Sequence, residues 1–582
     1  MTPTSKLIAA CVMSLTIGGE FAANAANLPQ LPQRQVDVTM PTVTGSTLNA
    51  TCATLQAQLN AAAALNVNLT HQIILATGTT CTGPYKLPSH TGGTGWILIK
   101  GPNYASLPAL GTRVGLNNTA LMPQVKYGDD GSGNYKGAFV AQTGAQRYRF
   151  IGLEIVQDSA INPNWDLMVL GYNNANATNT GYLIIDRCVI HDTDAAHSSY
   201  RGVWGDAELG NTALLDSYVA GIKGDGRESQ AWLSISNAGP ILIQNNTLSS
   251  AGEVIMFCGA SPATSSVQPS DATIQRNTVS TDPTWWGATV WQIKALFELK
   301  CGKRVLVEGN TFESLPANNG GNAFRLTPRN DAGTATYNEV SDLTIRYNLV
   351  RNVPNWINEI GATDITDAGP TTHSKRWYIH NNVVILGSNC ISDVWCGSFY
   401  SIQAGGYCID PTPTCKNEDI TIAHNTVDGV SQSTLYVDSA GQIGFDFRDN
   451  LINNGGSYGI WGIASGSTFN AVTLLNMAWA GPTWSFTYNR VAGVGGTGLD
   501  SSTWPQGTNN YPSSYTSFLW TNRATRDYTL QTGSPAKGAA SDGTDQGVNF
   551  SAYNAVRAGG SSGGGTDLTP PATPQNVNIS IN

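Results

Sequence analysis

Ile241-Leu-Ile-Gln-Asn-Asn246-Thr-Leu248 is a short apolar strand that runs through an asparagine into a second apolar strand. The same pattern returns seven times, with the asparagine at Asn277, Asn310, Asn348, Asn382, Asn425, Asn450 and Asn489. Successive asparagines are 31, 33, 38, 34, 43, 25 and 39 residues apart. Repeats of this length indicate a chain that stacks one supersecondary unit on the next.

The repeat predicts a stack of β-coils. Apolar and polar residues alternate with period two, which is typical of strands with one buried face, and a stack of coils can bury that face where a single coil cannot. We expect the corner asparagine to adopt the left-handed conformation and to hydrogen-bond the backbone of an adjacent coil. Weaker copies place Cys188 and Tyr218 in the asparagine position. The variable spacing disfavours propeller blades, which repeat every 40–45 residues or so.

A third strand in each coil lies between the asparagine-containing strand pairs. Its copies are residues 231–236, 254–259, 295–300, 323–328, 356–360 and 399–403. Alternation places Glu298, Lys300 and Arg325 on the outer face, and coils lie about 4.8 Å apart. We therefore expect these three side chains to cluster, with Glu253 beside them.

The repeat and its third strand resemble the right-handed parallel β-helix family of pectate-lyase-like proteins, over roughly residues 90–545. Asp527-Tyr-Thr-Leu-Gln-Thr-Gly-Ser-Pro-Ala536 and Asp542-Gly-Thr-Asp-Gln-Gly547 also resemble the closing segment of secreted members. The resemblance implies an all-β solenoid and, in members that act on polysaccharides, a substrate groove on the outer face of the third strand. Leu55, Leu59 and Ala62 recur at helical spacing, which predicts an amphipathic helix covering the first coil.

The outward charges suit two chemistries. A polysaccharide lyase needs a cation to neutralise a uronate carboxylate and a base to remove the adjacent proton. Arg325 would supply the cation, Lys300 the base, and Glu298 would orient Lys300 or hold calcium. A glycoside hydrolase needs two carboxylates about 5–5.5 Å or 6.5–9.5 Å apart, for which Glu298 and Glu253 are candidates. An ion-pair ladder without catalytic function is an equally ordinary explanation.

Substrate contacts are expected from aromatic and charged residues around this cluster. The loop from Asp282 to Trp291 carries three tryptophans, and flat aromatic side chains suit the C–H faces of sugars. The candidates are Trp285, Trp286, Trp291, Trp204, Trp232, Arg329 and Glu228. Ordinary packing is the alternative role for the tryptophans.

The composition limits the classes of partner that this protein is expected to bind. Of 582 residues only 12% are charged, 31 basic and 40 acidic, and no basic block stands out, so no nucleic-acid partner is expected. No apolar run reaches the roughly 18 residues of a membrane span. We expect a monomer whose partner is a polysaccharide, with calcium as the one cofactor left open. Lyase, hydrolase and non-catalytic carbohydrate-binding protein all remain hypotheses, the lyase being favoured.

Residues 1–25 have the apolar stretch and the small residues before a cleavage site that are typical of a secretory signal. We expect a cap region at 26–90, the β-helix at 91–550, and a Gly/Ser/Thr/Pro linker at 551–582 that ends in a truncated fibronectin-III-like start. The chain is therefore expected to be secreted, periplasmic or cell-surface, where disulfides form. Candidate pairs are Cys52–Cys81, Cys390–Cys396 and Cys408–Cys415.

Overall fold

The computed structural model describes residues 27–133, 135–171, 178–287, 290–316, 321–361, 369–387, 396–403, 417–437, 442–456, 458–462, 470–479, 483–494 and 501–559. Three long sheets, of 14, 13 and 12 strands, wind along the chain so that each coil contributes one strand to each sheet. Every pairing within them is parallel and joins consecutive coils. The predicted right-handed parallel β-helix is confirmed.

The strands fall into these sheets in coil order. The first sheet contains β1 (Thr47–Ala50), β2 (His71–Leu75), β5 (Ile97–Lys100), β10 (Gln146–Ile151), β13 (Gly181–Asp186), β16 (Thr212–Leu215), β19 (Ile241–Gln244), β22 (Ser270–Gln275), β25 (Gly302–Glu308), β28 (Val340–Arg346), β31 (Lys375–His380), β34 (Glu418–Ala423), β37 (Ile443–Arg448) and β40 (Trp484–Thr487). The second contains β3 (Cys81–Thr82), β6 (Gln124–Lys126), β11 (Glu154–Val156), β14 (Val189–His191), β17 (Tyr218–Ile222), β20 (Thr247–Ser250), β23 (Thr278–Ser280), β26 (Thr311–Glu313), β29 (Leu349–Val353), β32 (Val383–Leu386), β35 (Thr426–Val430), β38 (Leu451–Asn454) and β41 (Arg490–Ala492). The third contains β4 (Tyr85–Leu87), β9 (Phe139–Ala141), β12 (Asn164–Val169), β15 (Ser199–Trp204), β18 (Gln230–Ser234), β21 (Glu253–Phe257), β24 (Ala295–Leu299), β27 (Asn322–Leu326), β30 (Asn355–Ile360), β33 (Tyr400–Gln403), β36 (Ser433–Val437) and β39 (Gly459–Gly462).

Smaller elements complete the described part of the chain. Two antiparallel pairs join β7 (Gly128–Asp129) to β8 (Lys136–Gly137) and β42 (Trp520–Asn522) to β43 (Asp527–Leu530). The α-helices are α1 (Leu55–Ala63), α2 (Ala471–Ala478) and α3 (Phe550–Arg557). The 3-10 helices are Tyr104–Ser106, Leu116–Leu121, Ser265–Val267, Pro283–Trp285, Ser501–Thr503, Tyr515–Phe518 and Arg523–Thr525. Within the described ranges, no helix has the length and apolarity needed to cross a membrane.

The repeated asparagines form a continuous hydrogen-bonded ladder at the corner between the first and second sheets. Asn277 Oδ1 accepts from the backbone N–H of Asn246 (2.9 Å) and its Nδ2 donates to the carbonyl of Ile243 (2.8 Å). The same contacts recur from coil to coil as far as Asn489. These amides satisfy backbone groups that the bend leaves without a sheet partner.

Two details of the ladder correct the sequence-based expectation. The left-handed residue is the one before each asparagine, for example Arg276 (φ 55) and Tyr347 (φ 57), because the bend comes one residue earlier and the asparagine side chain points into the coil. In the weaker copy, Ser217 rather than Tyr218 occupies the ladder position, since Ser217 Oγ accepts from the backbone N–H of Cys188 (3.0 Å).

The ends of the solenoid differ from the predicted boundaries. β1 already belongs to the first sheet, so parallel pairing begins at Thr47, inside the segment predicted as a cap. α1 buries Leu55, Leu59 and Ala62 against the start of the core. α3 begins one residue before the segment predicted as a linker, occupies its start and buries Tyr553 and Val556. The predicted signal peptide and residues 560–582 of the predicted linker lie outside the described residues.

An extended segment at residues 27–39, here called the N-terminal strap, crosses the outer face of the first sheet. Asn27, Gln30 and Gln33 donate hydrogen bonds to Asp419, Asp342 and Asp271 respectively, at 2.7–3.1 Å. Each of these aspartates lies two coils from the next, a distance of about 9.6 Å. The strap residues that bond them are three residues apart, and three residues of polyproline II helix span about 9.3 Å. The sequence repeat Leu28-Pro-Gln-Leu-Pro-Gln33 therefore matches the spacing of the coils.

Two disulfides link adjacent coils. The predicted Cys52–Cys81 bond is present, and Cys258–Cys301 is a pair that the sequence analysis missed. Cys396 is also disulfide-bonded, whereas Cys390, Cys408 and Cys415 lie outside the described residues. Cys258 and Cys301 follow β21 and β24, which pair with each other, so the coil repeat itself brings these two positions together.

Candidate active site

On the outer face of the third sheet, one residue from each coil joins a continuous line, here called the outer column. From β15 to β39 its members are Trp204, Leu233, Met256, Glu298, Arg325, Asn358, Ser401, Tyr436 and Trp461, which pair directly across neighbouring strands. Glu298 and Arg325 thus lie side by side at the middle of this face. The register makes Glu298 and Arg325 cross-strand neighbours, as strand alternation predicted.

A half-buried lysine organises the carboxylates at this point. Lys294, immediately before β24, donates to Glu228 Oε1 at 2.8 Å and to Glu253 Oε1 at 2.6 Å. Its Nζ also lies 3.1 Å from Glu298 Oε2. The Glu253 and Glu298 side chains are 0% and 5% exposed, so the ammonium group compensates charges that water cannot reach. We call these four residues the Lys294 cluster.

The members of the Lys294 cluster have their pKa values shifted in different directions. Burial, reinforced by the Glu298 charge, raises the pKa of Glu253 well above its usual range. Burial also opposes ionisation of Glu298, but Lys300 and Lys294 outweigh it and lower the Glu298 pKa to about 2. The carboxylates, with Glu298 first, raise the pKa of Lys294 against the effect of its burial. Lys294 is therefore locked in its charged form and is unsuited to accept a proton.

Beside the cluster lies an open cleft of about 470 Å³. Leu233, Ile235 and Met256 give it an apolar lining on the outer face of β18 and β21. Lys300 and Glu228 line it toward β24, and the Cys258–Cys301 disulfide, adjacent in sequence to Lys300, ties the two coils there. The cleft combines an apolar surface with charged ends, as a sugar-binding groove requires.

The predicted catalytic residues fall into two groups. Lys300 lines the cleft, and Arg325 is half-buried next to Glu298. Glu253, by contrast, is fully buried beneath Lys294, so its carboxyl group does not reach a substrate. Arg329 lies close to Lys300, because its backbone N–H donates to the Lys300 carbonyl (3.0 Å).

The tryptophan predictions are only partly consistent with the structure. Trp204 belongs to the outer column and is half-buried. The predicted substrate contact of Trp232 is wrong, because its side chain is 0% exposed and pairs with Ile255 in the core. Trp285 is 7% exposed and joins the core, while Trp286 and Trp291 are half-buried against it. The loop therefore offers no three-tryptophan platform.

The carboxylate pair proposed for hydrolysis lacks the necessary separation. Glu253 and Glu298 both contact Lys294 Nζ, at 2.6 and 3.1 Å, and interact directly with each other. No sugar or attacking water fits between carboxyl groups in contact, whereas glycosidases hold theirs about 5–9.5 Å apart. The geometry argues against hydrolysis by this pair.

Several residues of the site escaped the sequence analysis. Lys294 precedes its strand, where period-two alternation does not apply. Trp165, Tyr200, Arg201 and Arg227 line the end of the cleft opposite Lys300. Tyr200 and Arg201 lie in β15, one coil before the Glu228 loop, so aligning the coils would have shown them near the site.

The carboxylates also bear on metal binding. Within the described residues, no group of three His, Cys, Asp or Glu side chains is arranged to hold a metal ion. Glu228, Glu253 and Glu298 surround an ammonium group instead. Glu298 was expected to orient Lys300 or to hold calcium, whereas the ion pair that it makes is with Lys294, at 3.1 Å.

Comparison with known proteins identifies neither a family nor a function for this chain. No family model and no curated protein matches the chain. Solved structures that are similar to it include a mannuronic acid-specific polysaccharide family 6 lyase from human gut microbiota, with 12% identity over 80% of this chain and 91% of that one and a TM-score of 0.42. A tailspike mutant of E. coli bacteriophage HK620 in complex with a hexasaccharide has 12% identity over 79% and 73%, with a TM-score of 0.44. Pectate lyase Pel9A has 10% identity over 89% and 94%, with a TM-score of 0.33. Identities this low carry no inference about activity.

Proposed function

We propose that this protein is an exported polysaccharide lyase that cleaves a uronate-containing polysaccharide by β-elimination. One observation carries the proposal: Lys300 lines the cleft and lies close enough to the Lys294 cluster to lower the pKa of Glu298. With Glu253 protonated and Lys300 in the unprotonated form that the reaction needs, the charges of Lys294 and Arg325 balance those of Glu228 and Glu298.

The proposed chemistry assigns a separate role to each group. Arg325, with Arg329 nearby, neutralises the uronate carboxylate and so acidifies the proton on the adjacent carbon. Lys300, in its unprotonated form, removes that proton. The electron pair forms a carbon–carbon double bond as the bond to the glycosidic oxygen breaks. That oxygen takes up a proton from water, and Lys300 returns the proton that it removed to water. Glu298 positions Lys300 and Arg325, while Lys294 and Glu253 hold Glu298 in place.

Lys300 is preferred over Lys294 as the base because the two lysines have different surroundings. Lys294 is surrounded by carboxylates that stabilise its charged form. Lys300 lines the cleft, where a substrate can reach its amino group. Export is supported by the two disulfides, since such bonds persist in oxidising compartments.

A panel of uronate polymers tests the proposal. The protein is incubated with each polymer and the ultraviolet absorbance of unsaturated products is followed. We expect Lys300→Ala to lower the rate about 10²–10⁴-fold, the usual contribution of a general base. Lys303→Ala, at a half-buried lysine of the first sheet, is the matched control and should keep full activity. Retention of a polymer without cleavage would instead indicate a non-catalytic carbohydrate-binding protein.

A further inference from the structure

The end of the cleft farthest from Lys300 contains a second group of cationic and aromatic side chains. Trp165 lies in β12 and Tyr200 and Arg201 in β15, while Arg227 belongs to the loop before β18. β15 precedes β24 by three coils, a distance of about 14 Å at about 4.8 Å per coil. We call Trp165, Tyr200, Arg201 and Arg227 the distal subsite.

The aromatic pair provides a fixed surface. The Trp165 and Tyr200 rings meet edge to face with centroids 5.2 Å apart. The guanidinium group of Arg227 lies 5.4 Å from the Trp165 ring and 5.8 Å from the Tyr200 ring. Because Trp165 is half-buried and Arg227 exposed, an aromatic face and a positive charge are both available at the surface.

Arg201 brings a second cation into the same wall of the cleft. Its Nη1 pairs with Asp166 Oδ1 at 3.2 Å and its guanidinium lies 4.9 Å from the Trp204 ring. Its Nε is buried and makes no hydrogen bond within the described residues. A guanidinium group has five N–H donors in a planar fork, so this contact leaves donors that suit a second carboxylate.

Charge is thus placed at both ends of one apolar cleft. Lys300 stands at one end and Arg201 and Arg227 at the other, with Leu233 and Met256 between them. An extended polysaccharide lying along the helix axis advances by about one sugar residue per coil. Its carboxylates would then meet cations at positions some three residues apart.

We propose that the distal subsite binds the carboxylate of a second uronate residue, so that the substrate is a polyuronate with acidic sugars in series. This inference rests on the proposed function and deepens it, because it names the class of polymer. It predicts that chains long enough to reach from Lys300 to Arg227 bind more tightly than shorter ones. Neutral polysaccharides of the same length should bind weakly.

Calorimetric titration of oligouronates separates this subsite from catalysis. All variants carry Lys300→Ala to prevent cleavage, and each is titrated with trimers and hexamers of the polymer that the panel identifies, or of galacturonate, mannuronate and glucuronate if none is cleaved. We expect Arg227→Gln to weaken hexamer binding about tenfold, the lower end of what a hydrogen bond to a charged group contributes, and to leave trimer binding unchanged. Arg526→Gln, at an equally exposed arginine of the C-terminal segment, should change neither.

Each outcome decides between the two proposals. Equal hexamer binding by Arg227→Gln and its parent overturns the distal subsite and leaves the proposed function intact. Binding of a neutral hexasaccharide as tight as that of the hexauronate overturns the substrate class. Failure of the parent to bind trimers or hexamers of any of the three uronates overturns the proposed function itself. Trp165→Leu provides a second variant, for which the same selective loss of hexamer binding is expected.

Discussion

Replacing Lys294 by Met tests whether its half-buried ammonium group maintains the site. The substitution removes the cation from within 3.1 Å of three carboxylates, two of which belong to side chains that are at most 5% exposed. Breaking a buried ion pair costs about 3–5 kcal/mol, because the remaining charge has neither a partner nor water. We expect a loss of free energy of unfolding in this range at pH 7, measured from the shift in urea midpoint at constant m value.

The pH dependence and a control sharpen this test. The folded-state pKa of Glu298 is lowered to about 2, so its ion pairs stabilise the fold above the unfolded pKa of about 4.3 and are lost as pH falls toward 2. The difference between Lys294→Met and the parent should therefore shrink through this window. Lys303 pairs with Glu339 at 3.1 Å but is 42% exposed, so Lys303→Met should cost at most about 1 kcal/mol. Equal losses for the two variants would refute the assigned role of Lys294.

Three further predictions concern the ladder, the core and metal dependence. Asn348→Ala removes four hydrogen bonds from a fully buried side chain and should cost about 2–5 kcal/mol, read from urea midpoints. Glu359 is fully buried and accepts a hydrogen bond from Tyr400, and burial raises its pKa to about 8. The free energy of unfolding should therefore fall by on the order of 4 kcal/mol as pH rises from about 4.5 to 8. Glu359→Gln should abolish this dependence. Because Lys294 occupies the carboxylates, EDTA should leave lyase activity unchanged, as measured by ultraviolet absorbance.

Each of these predictions has a clear contrary result. Asn117→Ala, at an exposed asparagine, is the control for the ladder, and a comparable loss in both variants would contradict the ladder's contribution. Retention of the full pH dependence by Glu359→Gln would assign that dependence to another group. Loss of activity in EDTA, restored by calcium, would show that a metal takes part.

The repeat made the architecture predictable from sequence. Each asparagine amide bonds to the coil before and the coil after it, so a local pattern determines the stacking. The same regularity placed Glu298 next to Arg325, since equivalent strand positions become neighbours. The bend itself was misplaced by one residue, because consecutive polar residues such as Asn245 and Asn246 do not show which of them is left-handed.

Alternation failed where both faces of a strand are apolar. In β18 the outward Leu233 lines the cleft and the inward Trp232 fills the core, so hydrophobicity alone could not assign either side chain. The proposed sugar-binding role of Trp232 was lost for this reason. Because the cleft is lined by apolar residues such as Leu233, the sequence pattern did not show that this face is exposed.

From its sequence alone, this chain is identifiable as a parallel stack of three-stranded coils with charged residues on one outer face, because those features repeat at fixed strand positions. The three-dimensional arrangement decided which charges act together. Lys294, Glu228 and Arg227 lie outside the regular strands, and their positions follow from how the connecting segments pack rather than from any period. The environment of each carboxylate, and hence its protonation, depends on those segments.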